Sequence, residues 1–272
     1  AAGGSGWRPS VLSGGDEGWR ALIAPSGVTA TDGAYYGNTT VSWQAVPGAT
    51  HYRVYRSERA TDPKTELGEW QTELAFKDYL GAPAKTYHYF VAAATEPQGE
   101  RTSAFSAPDT GWRALAPPVG VQVTNGEHSG KTLISWQMVE GATHYRVYRS
   151  ERATDPKTAL GEWQTELSFS DNLGVPAKTY HYFVQAAADS TGWRPSGFSS
   201  AEAGWRALEA PQGVSATDGV FYGNTTVTWL AVPEATHYRV SRAETLDGPQ
   251  VELGQWQTEC VVKDDVGQPM RS

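Results

Sequence analysis

Apolar and polar residues alternate with a period of two along most of this chain. Val41 and Trp43 fall on one face of the Thr39–Trp43 run. In His51–Arg56, Tyr52 and Val54 share one face while His51, Arg53 and Tyr55 share the other. Leu74 and Phe76 alternate with polar neighbours in Thr72–Asp78. From Tyr87 onward, Tyr87, Tyr89, Val91 and Ala93 lie on one side and His88 and Phe90 on the other. Alternation of this kind predicts strands with one buried face. Turn signals separate them at Thr31-Asp32-Gly33, Pro47-Gly48, Thr61-Asp62-Pro63 and Leu80-Gly81-Ala82-Pro83. No stretch carries a helical stripe. About seven strands per ~90 residues, with turns every ~8–12, predict an antiparallel sandwich.

The pattern repeats. Trp19, Trp112 and Trp205 each sit in a Gly-Trp-Arg-Ala-Leu segment, with both steps (112 − 19 and 205 − 112) equal to 93 residues. Trp43, Trp136 and Trp229 keep the same step, as do Trp70, Trp163 and Trp256, and His51, His144 and His237. The segment Ala49–Thr65 recurs unchanged at Ala142–Thr158. A period of this size describes whole domains rather than solenoid turns.

The ends of the chain are out of phase with the period. Ala1 is equivalent to Ala187, and Ser272 to Thr179, the residue before Tyr180. The counterparts of Tyr87–Ala93 and Tyr180–Ala186 are missing from the third copy. Residues 1–22 therefore read as the last strand and linker of a preceding repeat. Residues 23–115 form repeat 1, 116–208 repeat 2, and 209–272 a third repeat truncated before its sixth strand. That strand would bury two Tyr, a Val and an Ala, worth about 5–8 kcal/mol. A domain of this size is stable by only ~5–15 kcal/mol. Repeat 3 alone is expected to be unfolded or nearly so.

The order of segments is informative. An Ala-Pro-x-Gly-Val opening (Ala24–Val28) precedes a strand ending in Trp43 and then the Tyr-Arg-Val-Tyr-Arg strand. A strand closing on Phe76-x-Asp78, the Tyr-x-Tyr-x-x-Val segment and the Ser-rich Ser103–Ser106 follow. This order resembles a fibronectin type III domain, of the kind strung in tandem in bacterial surface and secreted proteins. The resemblance implies an all-β chain of tandem antiparallel β-sandwiches, immunoglobulin-like in layout, with the third incomplete. It implies that Trp43, Trp136 and Trp229 are the core tryptophans of the second strand, and Tyr87 and Tyr180 the corner tyrosines opening the sixth. For function it implies only a range: spacers, adhesins, enzyme accessory domains and polymer subunits.

Composition narrows that range. The 272 residues are 39% hydrophobic, enough for packed cores, which argues against wholesale disorder. A net charge of −8 leaves no basic stripe for phosphates, so no nucleic-acid partner is expected. No apolar run approaches the ~18 residues of a membrane span. The single cysteine, Cys260, cannot form an intrachain disulfide or a thiolate metal cage. It takes the inward place of Leu74 and Leu167, which predicts a buried, inert thiol. Nucleophile elbows, phosphate loops and His-Glu-x-x-His motifs are absent, so no catalytic residue and no cofactor is expected. His51 and His88 begin adjacent antiparallel strands and should lie at opposite ends, and no metal site is expected. The chain begins at Ala1 without a charged-then-apolar leader, as after signal removal or in a fragment. An extracellular or cell-surface setting fits the acidic, disulfide-free composition.

Three sets of residues are candidates for interaction. Trp19-Arg20, Trp112-Arg113 and Trp205-Arg206 stand where one repeat hands over to the next. The tryptophan can wedge between repeats and the arginine stack on a ring, giving a semi-rigid rod; the other reading is an aromatic row for sugar rings. Trp70, Trp163 and Trp256, placed between the third strand and its successor, either cover the sandwich edge or serve as polysaccharide platforms. The segment carrying Trp7, Val11 and Leu12 has the sequence of a last strand and could add to the incomplete repeat of the next copy. Head-to-tail addition of that kind makes an open filament. The expected function is a non-catalytic extracellular structural protein, a rod assembling with itself into a filament or sheath or joined to the rest of a longer repeat chain. The alternatives are an adhesin or carbohydrate-binding array, or an accessory region of a secreted hydrolase.

Overall fold

The computed structural model describes residues 18–217 and 223–265, and all strand pairings among them are antiparallel. The first repeat has seven strands: β1 (Thr29–Ala30), β2 (Thr39–Ser42), β3 (His51–Ser57), β4 (Thr65–Gln71), β5 (Ala75–Asp78), β6 (Tyr87–Ala94) and β7 (Asp109–Gly111). They form a three-stranded sheet β1-β2-β5 and a four-stranded sheet β4-β3-β6-β7. The second repeat copies this with β8 (Gln122–Val123), β9 (Thr132–Ser135), β10 (His144–Ser150), β11 (Thr158–Gln164), β12 (Ser168–Asp171), β13 (Tyr180–Ala187) and β14 (Glu202–Gly204). Its sheets are β12-β9-β8 and β11-β10-β13-β14. Repeats 1 and 2 are thus each a two-sheet antiparallel β-sandwich in the seven-strand layout of a fibronectin type III domain.

The alternation read from the sequence sets which face each strand buries. Val41 and Trp43 enter the first core with Tyr52, Val54, Tyr87, Tyr89 and Val91. Ile134, Trp136, Tyr145, Val147, Tyr180, Tyr182 and Val184 do the same in the second. The core tryptophans tilt against a tyrosine, with centroids 5.7 Å apart for Trp43–Tyr52 and 5.6 Å for Trp136–Tyr145. Those tyrosine hydroxyls reach back to accept the backbone N–H of Val46 and Val139 at 2.8 Å. The Ser-rich segment pairs with β6 through both backbone and side chains, the Ser103 and Ser106 N–H groups donating to the Ala93 and Val91 carbonyls. The hydroxyls of Ser103 and Ser106 accept the N–H groups of Ala93 and Val91 at 3.0 Å, which satisfies that buried edge.

The third repeat has β15 (Ser215–Ala216), β16 (Thr225–Thr228), β17 (Tyr238–Arg242), β18 (Val251–Gln257) and β19 (Val261–Asp264). Its sheets are β15-β16-β19 and the two-stranded β17-β18. Trp229, Val232 and Tyr238 form its buried core. Within the whole chain the third repeat thus carries five of the seven strands. One sheet keeps all three of its strands, the other keeps a closed hairpin, and the Trp229–Tyr238 contact at 5.6 Å joins them.

By backbone contacts the chain divides into two units, one of Ala1–Gly81 with Lys85–Arg113 and the other of Ala82–Ala84 with Ala114–Ser272. Among the described residues no helix is long and apolar enough to cross a membrane.

Candidate functional site

The handover pairs are anchored in the repeat they end. Asp32 and Trp112 form an isolated parallel bridge, and Gly33 donates its N–H to the Trp112 carbonyl at 2.8 Å. The Trp112 ring lies over Gly33, whose φ of +68° and missing Cβ allow the close approach. Trp205 lies over Gly126 in the same way, with the Gly126 N–H donating to the Trp205 carbonyl at 2.9 Å. The arginines lock the same corner: Arg113 donates to the Gly81 and Tyr36 carbonyls, Arg206 to those of Gly174 and Ser129. Turn glycines that looked like local turn chemistry are therefore seats for indole rings. Trp19 is 61% exposed, with the Arg101 guanidinium 5.7 Å from its ring, and Arg20 is exposed beside it. Trp7, Val11 and Leu12 lie outside the described residues.

Trp70 and Trp163 are in strands β4 and β11, not between strands as the sequence reading had them. Each ring is covered by a left-handed glycine of the turn after the sixth strand, Gly99 or Gly192, both at φ +80°. Trp256 has the equivalent place in β18 and is 60% exposed. Its described neighbour is Arg239, 5.9 Å from the ring. A second correction concerns Cys260: it is half-buried, and its equivalents Leu74 and Leu167 are exposed because they precede β5 and β12 rather than lying within them. His51 and His88 are at opposite ends of the β3–β6 ladder, where their partners are Ala94 and Ser57. Among the described residues no cluster of His, Cys, Asp or Glu could hold a metal ion.

Two constellations were not legible in advance. Inside each sandwich, Arg56 pairs with buried Asp78 at 2.7 Å while the Tyr89 hydroxyl donates to the same carboxylate oxygen at 2.9 Å. Arg149, Asp171 and Tyr182 repeat this at 2.6 and 2.9 Å. The guanidinium lies 4.4 Å from the ring centre of the corner tyrosine, Tyr87 or Tyr180. Burial pushes the Tyr89 and Tyr182 phenols up; the Thr39 or Thr132 hydroxyl partly offsets this and the aspartate adds to it. On the outer face, Tyr55 and Phe90 are directly opposite across β3 and β6, with Phe105 packed edge-on and the Lys64 ammonium 4.3 Å from the Phe90 ring. Tyr148, Phe183, Phe198 and Lys157 form the same cluster in repeat 2.

These constellations show what is distinctive about the third repeat. Strand β3 is paired on both edges, with β4 and β6, and β10 with β11 and β13. Among the described residues β17 pairs with β18 alone. The inner-face residues remain: Arg242 holds Asp264 at 2.7 Å, although its side chain is 36% exposed against 17% for Arg56 and 21% for Arg149. Val240 and Val227 are half-buried where Val54, Val147, Val41 and Ile134 are fully buried.

No protein-family model and no curated protein matches this sequence. Solved structures similar to it include a Fn3-like protein from Clostridium thermocellum, at 26% identity over 35% of this chain and 95% of that one, with a TM-score of 0.31. A two fibronectin type-III domain segment from chicken tenascin is similar at 14% identity over 66% and 97% of the chains, TM-score 0.47. The FN1-FN3 domains of chicken CNTN1 are similar at 15% identity over 91% and 90%, TM-score 0.32.

Proposed function

We propose that the chain is a non-catalytic structural repeat segment of an extracellular protein. The observation that carries this reading is that the repeated aromatic residues are packed within their own repeats, the Trp112 and Trp205 rings over Gly33 and Gly126 and the Trp70 and Trp163 rings under Gly99 and Gly192. The repeated tryptophans support a structural over a sugar-binding role, since Trp70, Trp163, Trp112 and Trp205 are seated on glycines of their own repeats.

Isothermal titration calorimetry of the full chain against soluble polysaccharides tests this. No saturable heat is expected. Saturable binding that Trp70→Phe together with Trp163→Phe abolishes would refute the structural reading in favour of a sugar-binding one.

A further inference from the structure

Repeat 2 differs from the other repeats at one exposed turn. Where repeat 1 has Asp32-Gly33 and repeat 3 has Asp218-Gly219, repeat 2 has Asn125-Gly126, and no other asparagine in the chain precedes a glycine. Such a pair carries its own reaction. The glycine amide nitrogen attacks the asparagine Cγ; a new N–Cγ bond closes a succinimide ring, the Cγ–Nδ2 bond breaks, and the amide proton leaves with the side-chain NH2 group as ammonia. Water then opens the ring at one of its two carbonyls, giving aspartate or isoaspartate. Glycine hinders this attack least, because it has no Cβ. The reaction needs a Gly126 N–H free to lose its proton and an Asn125 side chain free to swing onto it. The folded repeat withholds both. The Gly126 N–H donates to the Trp205 carbonyl at 2.9 Å, beside the isolated parallel bridge of Asn125 with Trp205, and the indole covers Gly126. The Asn125 side-chain amide is turned back to donate to the Val123 carbonyl at 3.3 Å, and its backbone N–H donates to the Glu127 carboxylate at 2.9 Å. Asn125 is nonetheless exposed, so water for the ring-opening step is at hand.

We propose that Asn125 is a site of self-catalysed covalent modification gated by Trp205. It reacts only from the open state of this corner, in which the Trp205 ring and carbonyl have left Gly126. The two products act differently on the lock. Aspartate restores the residue of repeat 1, where Asp32 makes the same bridge with Trp112 and Gly33 the same hydrogen bond at 2.8 Å. Isoaspartate routes the main chain through its side-chain carbonyl and so adds one methylene inside the bridge. The Gly126 N–H then falls out of register with the Trp205 carbonyl, and the corner that Arg206 shares through its bonds to the Gly174 and Ser129 carbonyls stays loosened. The modification is thus a one-way record of corner opening. Repeat 1 has the same indole seat without this route, since a carboxylate resists the attack that an amide accepts.

The test incubates the full chain at mildly alkaline pH, where the amide proton is lost most readily, and follows each asparagine by peptide mapping with mass spectrometry. In the urea-unfolded chain Asn125 should be modified before Asn38, Asn172 and Asn224. In the folded chain its rate should fall at least about tenfold, and should rise in step with hydrogen exchange at the Gly126 amide as urea is added below the unfolding transition. Trp205→Ala should bring the rate without urea to within about threefold of the unfolded one, while Trp112→Ala, which removes the equivalent ring from repeat 1, should leave it unchanged. Chains carrying isoaspartate should exchange the Gly126 amide faster than the Asn125→Asp variant, whose lock is intact. Modification of Asn125 as fast in the folded chain as in urea, or at a rate indifferent to opening at Gly126, would overturn the gate. An Asn125 that is not the first to react in the unfolded chain would overturn the site itself. The urea series needs no variant, so it decides the matter even where Trp205→Ala fails to fold.

Discussion

Strands β10 and β17 have nearly the same sequence, Tyr-Arg-Val-Tyr-Arg (Tyr145–Arg149) against Tyr-Arg-Val-Ser-Arg (Tyr238–Arg242), and very different surroundings. β10 lies between two strands, with Val147 fully buried and Arg149 held against both Asp171 and the Tyr180 ring. β17 has one neighbour among the described residues, its valine is half-buried and its arginine is more open to water. Near-identical local sequence therefore gives near-identical strands but not the same environment. What closes a sandwich is the sixth strand, because it supplies a ladder, two buried tyrosines and the turn glycine over Trp70 or Trp163 at once.

The buried ion pair should separate the two repeats most. Removing Asp171 leaves a guanidinium buried without its carboxylate and strands the Tyr182 hydroxyl, so Asp171→Ala should destabilise repeat 2 by about 3–5 kcal/mol. Asp264→Ala should cost less than about half of that, because Arg242 is already partly solvated. Denaturant-dependent hydrogen exchange reads each repeat separately, and equal losses would break the comparison.

Alkaline pH gives a second separation. The Tyr89 and Tyr182 phenols are pushed above the ordinary tyrosine value by burial, so their protonated forms belong to the folded state. Their contribution is fully present below about pH 10 and is lost as pH rises beyond it, because the unfolded chain then releases protons that the folded repeats retain. Tyr89→Phe with Tyr182→Phe should flatten the alkaline fall in the stability of repeats 1 and 2, monitored by circular dichroism. A fall of unchanged slope would place its origin elsewhere.

Backbone substitutions give smaller effects. Gly68 and Gly254 hold the same position at φ +67° and +80°, but a Cβ at Gly68 would lie 2.9 Å from the Phe76 ring and one at Gly254 would meet nothing within 4 Å. Gly68→Ala should therefore cost about 2–3 kcal/mol and Gly254→Ala about 1 kcal/mol, the latter from backbone strain alone. The reverse change is available in repeat 3. Glu234 sits at φ +66° where repeats 1 and 2 use Gly48 and Gly141, so Glu234→Gly should stabilise repeat 3 by about 1 kcal/mol. Urea titrations would check both.

The period, the strands and the inner core were legible because a period-two pattern fixes which side of a strand is buried. Trp43, Trp136, Tyr87 and Tyr180 are buried as that pattern and the fold resemblance implied, and Trp229 with them. The sites were less legible. Tyr55 and Phe90 are on the outer face yet buried, since Phe105, from the Ser-rich segment before β7, folds over them, and alternation alone cannot show a second apolar layer. The Arg56–Asp78–Tyr89 constellation joins residues from three strands, a pairing that needs the register. The repeated Trp-Arg pairs looked like links between repeats because they stand at the junctions. Their anchoring to Gly33 and Gly126 depends on a parallel bridge that sequence spacing does not reveal.

Native-state hydrogen exchange along β10 and β17 of the intact chain tests the central claim most directly. Among the amides that point away from the neighbouring hairpin strand, those within Arg239–Arg242 should exchange at least about a hundredfold faster than their equivalents within Arg146–Arg149. Equal protection of these amides would contradict the more open surroundings of β17.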